Sequence, residues 1–569
     1  MRYRASSLLC LVVSAGAVQL APETVAAREA IAKQYRLIDE AQKAGRVEEI
    51  LLLAQPDARA GSLVMKVALK DFVNTAKRAM SSSPGVKVIV STSITDIKLA
   101  GNEATVRTRS DGTISSSGKT QAMRQTSQDV WVRQGTGEWF IKDVTLLTHR
   151  EVQPPVPPET AKAVAKAIAT HAVPLSTVQA GAAADDLAAF GKAVGDARIV
   201  LLGEATHGSR EIFQMKHRLL EYLVKEKGFT VFAKEANWPE SQALDRYIKT
   251  GEGDSRQGLQ DMYFWTWQTQ EVLAMVEWMR AFNQAPGNHP TLSFTSFDMQ
   301  YYGFAAERVI AFVKKHAPES ELPAAVESAY QGLGDLPRNV SQDPSFQRAS
   351  SSAEKVTALL ESATERLVKA AGAAAFRDVM QMTRIVAQAL RMRVPGSATS
   401  FRDEMMSKNV EWLANVVYPG QKIVLWAHNG HVSAARNIGY EPMGSWLRKA
   451  FGSQMYITGF AIHTGSVRAV GAGTQSTGLS SYVIPAAPAG SGTAVLSAAG
   501  KPLFFLDFST VRKVASPLAE WLNSRQAFRE CGAVWNMEDA EEGNMMPVTL
   551  AEAYDGLVFL EKTEAAKGL

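Results

Sequence analysis

Cysteine is nearly absent from this chain: there are two among 569 residues, Cys10 and Cys531. Cys10 lies in an apolar N-terminal stretch, so the body of the chain carries one thiol, which excludes an intrachain disulfide framework and any zinc site built on several thiolates. Charge of one sign is missing as well. The 61 Lys and Arg against 57 Asp and Glu leave a formal net charge of +4. The basic residues are scattered, not gathered into a stripe, which argues against a nucleic acid partner and against a basic amphipathic membrane helix. Beyond the N-terminus no apolar run approaches the roughly 20 residues that a bilayer span needs. A Gly-x-Ser-x-Gly elbow at a strand end is lacking too. Ala494-Val-Leu-Ser497 and Thr464-Gly-Ser466 both miss the pattern, so a serine nucleophile, with Ser209 the obvious rival, is the weaker reading.

What is there begins with a basic start, Met1-Arg-Tyr-Arg4, a mostly apolar stretch from Ala5 to Leu20, and the small-residue site Thr24-Val-Ala-Ala27. Together they predict a secretory signal peptide over residues 1–27. The mature protein is then expected to be periplasmic or secreted, with no transmembrane segment. The chain is too long for one core and should divide into two or three domains. Residues 28–152 open with a helical pattern from Arg28 to Ala44, carrying Ile31, Tyr35, Leu37 and Ile38, and a second helix near Met65 to Met80. Strand periodicity follows over Val86–Ser93, Ile94–Leu99, Ala104–Arg109, Gln128–Arg133 and Trp139–Thr145. Two helices and then an antiparallel meander resemble the NTF2-like superfamily, which implies a small α+β domain with a curved sheet wrapped around helices. Pro154-Pro-Val-Pro-Pro158 predicts a stiff, exposed, extended connector, so residues 153–184 are read as a proline-rich linker and a helix over Ala161–Ala169.

Residues 185–569 alternate strand and helix patterns. Ile199–Leu202, Phe229–Ala233, Leu292–Phe297, Ile423–Trp426, Met455–Phe460 and Gly556–Leu560 are the strands, with helices over Arg210–Glu226 and Glu271–Phe282 and a long helical insertion at about 303–415. Residues 462–515, richer in Gly, Ser, Thr and Ala, are read as an antiparallel annex at the sheet edge. The expected class is α/β: a mostly parallel sheet flanked by helices, preceded by the smaller α+β domain.

Open α/β sheets place their sites at strand ends. Three of the chain's nine histidines stand just beyond strands: His207 in Ile199-Val-Leu-Leu-Gly-Glu-Ala-Thr-His-Gly208, and His428 and His431 in Ile423-Val-Leu-Trp-Ala-His-Asn-Gly-His-Val432. Glu204 lies three residues before His207. Other strand ends deliver Lys234-Glu235 and Asp298. In a parallel sheet these groups converge on one crevice, and ionisable residues so close to apolar strands need partners or a task. A histidine beside a carboxylate suits a general base acting near neutral pH. The pairs Glu204-x-x-His207 and His428-x-x-His431 would equally suit zinc or another divalent ion, and the spacing of three does not decide between them.

These segments resemble the erythromycin esterase family. The resemblance spans roughly residues 185–565 and rests on Leu202-Gly-Glu-Ala-Thr-His-Gly208, Lys216 in Phe213-Gln-Met-Lys-His-Arg-Leu-Leu220, Lys234-Glu235 with Trp238, Trp267 with Gln270-Glu-Val272, Phe297-Asp-Met-Gln300, Trp426-Ala-His-Asn-Gly-His-Val432 and Met443-Gly-Ser-Trp-Leu447. Members include enzymes that hydrolyse the lactone ester of 14-membered macrolides, an antibiotic-resistance activity. The resemblance implies an ester or lactone as small-molecule substrate, His207 as general base for the attacking water, and Glu204 and Glu235 as the carboxylates that orient it. It implies that His428 and His431 line the same cleft, binding the substrate or stabilising the oxyanion. Lys216, Asp298 and Trp238 would contact substrate, and no metal or other cofactor would be needed. Lys216 departs from the macrolide-cleaving members, which carry arginine there; the charge stays but the fixed fork of donors is lost. A metal-dependent hydrolase of another substrate and a non-catalytic extracytoplasmic binding protein are the alternatives.

Overall fold

A computed structural model describes residues 21–569 apart from 63–65, 82–84, 117–118, 288, 337–342, 395–399, 437–439, 474–476, 514 and 540–543. The chain divides into two compact units, Met1–Val152 and Gln153–Leu569. Most of the expected signal peptide lies outside the described residues. Its last part does not: a helix runs over Pro22–Lys43, and Ala27 is buried in the first unit's core. A cut after Ala27 would therefore fall inside that helix.

The first unit packs the helices Pro22–Lys43 and Leu69–Ser81 against a six-stranded sheet, in the order Lys66–Ala68, Ala54–Ser62, Trp139–Glu151, Lys119–Arg133, Glu103–Ser116, Lys87–Ala100. The apolar face of the first helix, Ile31, Tyr35 and Ile38, meets Val106, Trp131 and Ile141 of the sheet. The two expected strands over 86–99 are one strand with a register shift between Ile94 and Asp96. Ala54–Ser62 was not anticipated. Its sequence, Ala-Gln-Pro-Asp-Ala-Arg-Ala-Gly-Ser, holds no β-branched or aromatic residue, and pairing with Trp139–Glu151 and Lys66–Ala68 makes it a strand.

In the second unit the proline-rich segment is less free than expected. Val156 is buried and its N–H donates to the Gly490 carbonyl at 2.8 Å, while Pro157 and Pro158 stand at the start of the helix Pro158–His171. The sheet has the order Ser293–Asp298, Val231–Asn237, Ile423–Trp426, Ile199–Leu202, Met455–Ala472, Gly556–Thr563, Leu503–Asp507, Val173–Pro174. The five pairings among the first six strands are parallel, and the last two strands join antiparallel, which makes the sheet mixed. Strand alternation splits the apolar side chains between two cores. Ile199 and Leu201 face the helical insertion, whereas Val200 and Leu202 face the helices Arg210–Lys227 and Gln270–Gln284.

Within the insertion, among the described residues, six α-helices run from Gly303–His316 to Phe401–Trp412, followed by the π turn Leu413–Val417. The annex over 462–515 is only partly as expected. Met455–Ala472 is a single long strand in hairpin with Leu479–Ile484, whereas Leu503–Asp507 belongs to the main sheet. No helix among the described residues is long and apolar enough to cross a membrane.

Candidate active site

Parallel pairing brings the ends of Ile199–Leu202, Val231–Asn237, Ser293–Asp298 and Ile423–Trp426 to one edge of the sheet. The chain leaves the first of these through Gly203, where a Cβ would stand 2.2 Å from Asn429 Oδ1 and 3.2 Å from the Thr458 carbonyl. Only hydrogen fits there, and Glu204 consequently comes down against the neighbouring strand end. At Gly208 a Cβ would collide with the Arg468 backbone, so the His207 loop lies flat against that strand.

Glu204 is fully buried and saturated with donors. Its Oε1 is 2.6 Å from His207 Nδ1, and Oε2 accepts from Lys216 Nζ at 2.8 Å and Trp426 Nε1 at 2.6 Å. Burial alone would raise its pKa, but Lys216 and His207 outweigh it and hold the carboxyl below the ordinary range. An ionised Glu204 accepts the Nδ1 proton of His207 and leaves the lone pair on Nε2. The His207 side chain is 10% exposed and stands edge-on to Trp267, with centroids 5.4 Å apart.

Two lysines lie beneath this pair. Lys216 is wholly buried with Nζ 4.1 Å from the Trp426 ring, and burial, opposed by Glu204, lowers its pKa to about 8. Lys234, also wholly buried, has Nζ 4.1 Å from the Trp267 ring and 4.6 Å from Trp426, and burial pushes it well below its ordinary value. Ser209 Oγ accepts from the Ile212 N–H, capping the helix Arg210–Lys227, and pairs with Thr563 Oγ1 at 2.5 Å. A serine so engaged and buried is not placed as a nucleophile.

From His207 a row of rings leads outward: His428 is 5.1 Å away between centroids, and His431 is 6.5 Å beyond His428. His428 Nδ1 accepts from the Gly430 N–H at 3.1 Å, and Nε2 is buried 3.3 Å from Glu530 Oε2, where neither atom makes a hydrogen bond. Burial, then His207 and His431, lower the His428 pKa to about 3. Burial pushes Glu530 up to about 8, against the bond that its Oε1 accepts from Asn429 Nδ2 at 2.7 Å. The expected oxyanion contact from His428 therefore finds no ring nitrogen facing outward.

Arg402 joins the row at His431. Of its five N–H donors, Nε reaches Asp298 Oδ1 at 3.1 Å, Nη2 reaches Asp298 Oδ2 at 2.7 Å and Glu235 Oε1 at 2.8 Å, and Nη1 meets His431 Nε2 at 2.9 Å. Among the described residues the second Nη1 donor of Arg402 meets no partner, on a side chain 21% exposed. Glu235 Oε2 accepts the His428 N–H at 2.9 Å; burial would raise this carboxyl, but His431 and Arg402 hold it below the usual range. His431 Nδ1 bonds Asp403 Oδ1 at 2.8 Å, and Asp403 also receives the Tyr440 hydroxyl and the Met443 N–H. Burial opposes protonation of His431, yet Glu235 and Asp403 raise its pKa. The Arg402 contact requires a lone pair on Nε2, so in this arrangement the ring donates through Nδ1.

Glu204, His207, Glu235, His428 and His431 thus gather at one strand edge, while the three expected substrate contacts stand behind it. Lys216 lies under Glu204, and Asp298 has both oxygens committed to Arg402, Gln300 Nε2 and the Met299 N–H. Trp238, 4% exposed, packs edge-on against Trp412 in the core. All three are buried. Arg402, Asp403, Tyr440 and Glu530 were not anticipated. The adjacent Arg402-Asp403 at the start of the last insertion helix was the one available signal. Among the described residues no group of three or more His, Cys, Asp and Glu is disposed to hold a metal ion.

The profile of the erythromycin esterase family matches residues 224–563, which is 340 of the 569 residues. Glu235, Asp298, Arg402, His428 and His431 lie inside this span, whereas Glu204, His207 and Lys216 precede it. A protein of Bacillus subtilis (strain 168) named as a hydrolase is 25% identical over 434 residues, covering 69% of this chain and 90% of its own. The erythromycin esterase type II of Escherichia coli is 23% identical over 316 residues, 50% of this chain and 74% of its own. A crystal structure from Bacillus cereus, 26% identical, superimposes with a TM-score of 0.60 over 73% of this chain and 100% of its own. An erythromycin esterase mutant in its open conformation, 16% identical, shares the fold with a TM-score of 0.52 over 68% of this chain and 96% of its own. The chain belongs to the erythromycin esterase family and is, at the level of that family, an ester hydrolase.

Proposed function

We propose that this protein hydrolyses a carboxylic ester, a macrolide lactone being the substrate class, with water activated at His207. His207 Nε2 takes a proton from the water as its oxygen attacks the carbonyl carbon. On collapse of the tetrahedral adduct the bond to the alkoxide oxygen breaks, and the same proton passes to that oxygen, which releases the hydroxy acid. Nothing covalent forms with the chain. The observation that carries this reading is the 2.6 Å contact of His207 Nδ1 with a buried Glu204 whose other oxygen is filled by Lys216 and Trp426. Such a carboxylate has one task left: to hold the Nδ1–H tautomer and stabilise the imidazolium formed in the step. The uncommitted Nη1–H of Arg402 is the donor we assign to the developing oxyanion, with Glu235, Asp298 and His431 fixing the guanidinium. We also infer that the first unit is an NTF2-like domain and that the protein is exported.

The test is a screen of the full chain against 14-membered macrolides, simple esters and lactones, read by product mass, with and without exhaustive chelation. The expected result is a gain of one water by at least one ester or lactone, at an unchanged rate after chelation. Activity that vanished on chelation and returned with one divalent ion would replace the imidazole mechanism with a metal-activated water. Saturable binding without turnover of any ester would favour the binding-protein alternative.

A further inference from the structure

Glu530 takes no part in the hydrolysis proposed above, yet its segment touches both His207 and His428. It follows the strand Arg525–Arg529, and the next two residues lie along the His207 loop. The Cys531 N–H donates to the Ala205 carbonyl at 2.8 Å, while the Gly532 carbonyl accepts the His207 N–H at 3.0 Å and the Thr206 hydroxyl at 3.2 Å. The backbone of this segment therefore helps to fix His207. Its carboxyl is turned to the other ring. Glu530 Oε1 accepts from Asn429 Nδ2 at 2.7 Å, and Asn429 is itself clasped to Phe460, donating to the carbonyl at 2.7 Å and accepting the N–H at 3.1 Å. With one oxygen anchored in this way, Oε2 is left 3.3 Å from His428 Nε2, and both atoms are buried without a hydrogen bond. Unsatisfied polar atoms are costly to bury, and these two face each other.

We propose, resting on that hydrolytic reading, that Glu530 is a positioning residue: its Oε2 receives the Nε2–H of His428 and fixes the ring as a neutral wedge against His207. The tautomer follows from Nδ1. That atom accepts the Gly430 N–H at 3.1 Å, so its lone pair is used and the one proton of a neutral imidazole is on Nε2. A second proton has no place on the ring, and burial, with His207 and His431 nearby, opposes the charge it would bring. Glu530 accepts in either of its forms, since a protonated carboxyl keeps an acceptor oxygen. The 3.3 Å gap is that of a bond long in the free protein, and contacts of this kind tighten when substrate is bound. The consequence is for His207, whose ring is 5.1 Å from that of His428. A His428 held neutral with both nitrogens engaged offers no rival lone pair to the water and no positive charge to oppose the imidazolium of His207. Glu530 acts through His428 and touches no substrate.

The test uses the full chain with isotopically labelled histidines, the resonances of the His428 ring being assigned with His428→Gln. Proton–nitrogen correlation spectra should show the His428 proton on Nε2. Its resonance should move downfield as pH rises through about 8, where Glu530 ionises and becomes the stronger acceptor. His207, His431, Glu235 and Glu204 also act on this ring, and Cys531 and Tyr554 stand near Glu530. The same titration on two variants separates these groups: the shift should persist in His207→Ala and vanish in Glu530→Leu. On an ester that the wild type cleaves, Glu530→Leu should lower kcat about 5- to 10-fold, the scale of one hydrogen bond, with KM changed less than about twofold. A wild-type proton on Nδ1, a resonance indifferent to pH, a shift that survives in Glu530→Leu, or a kcat for that variant within about twofold of wild type, less than one hydrogen bond supplies, would each overturn the proposal. The wild-type spectra decide the matter if Glu530→Leu does not fold. If no ester is cleaved, the hydrolytic reading fails, and the spectra still decide whether Glu530 holds His428.

Discussion

Arg402 commits four of its five donors to Glu235, Asp298 and His431, and the planar fork is what lets one side chain reach all three. Lysine would keep the charge and lose the fork. Arg402→Lys is therefore expected to lower kcat by about 100-fold, the scale of one lost oxyanion donor, with a smaller change in KM; a kcat within about twofold of wild type would remove Arg402 from the proposed chemistry. Glu530 makes a prediction of a different kind. Its folded pKa of about 8 lies above the ordinary 4.5, so between those values the folded chain holds a proton that the unfolded chain has released. Stability from this group is complete below about pH 4.5 and is lost as pH rises through 8. Glu530→Gln cannot lose that proton, so its melting temperature should fall less than that of the wild type between pH 5 and 8. Parallel melting curves for the two proteins would show that Glu530 titrates normally.

At the scale of elements, Gly203 carries the connection between the strand Ile199–Leu202 and Glu204. Gly203→Ala must displace Asn429 Oδ1 and crowd the Thr458 carbonyl, at a cost of about 1–3 kcal/mol of the kind seen for overpacking. Asn429 also holds Glu530 and the Phe460 backbone, so turnover should drop at least about 10-fold, the 1.4 kcal/mol scale, along with stability. A variant with wild-type turnover and melting would mean that the strand ends tolerate more space than the geometry allows. The four-residue apolar runs Ile199–Leu202 and Ile423–Trp426 were each legible as a strand because both faces of those strands are buried. The end of Val231–Asn237 was not, since Lys234, Glu235 and Asn237 are polar residues inside a strand, kept there by partners that no local pattern reveals. Arg402 was harder still. Its contact with Glu235 joins residues 167 apart, and in sequence it is one arginine among many in a helical insertion. Lys216, Asp298 and Trp238 were readable as site residues from the family resemblance, but their burial behind the cleft is a property of packing that sequence does not display.

At the scale of the whole molecule, the proline-rich segment matters for what it joins. Pro154-Pro-Val-Pro-Pro158 reads as a free spacer, yet Val156 is buried in the second unit's core and Gly490, at φ +78°, would bring a Cβ within 2.5 Å of Pro155. The second unit thus begins before its first helix. Residues 153–569 expressed alone should fold and keep the hydrolytic activity, whereas 160–569, which lacks Val156 and the helix start, should melt several degrees lower. Equal stability of the two fragments would return the segment to a simple spacer.

The central claim is that His207 activates the water, and the turnover of His207→Ala on an ester that the wild type cleaves tests it most directly. General base catalysis contributes about 100- to 10,000-fold. His207 is buried, and among the described residues its ring makes one side-chain hydrogen bond, to Glu204, so kcat should fall by at least about 100-fold while the melting temperature changes far less. A folded His207→Ala protein that cleaves the same ester at the wild-type rate would contradict the claim.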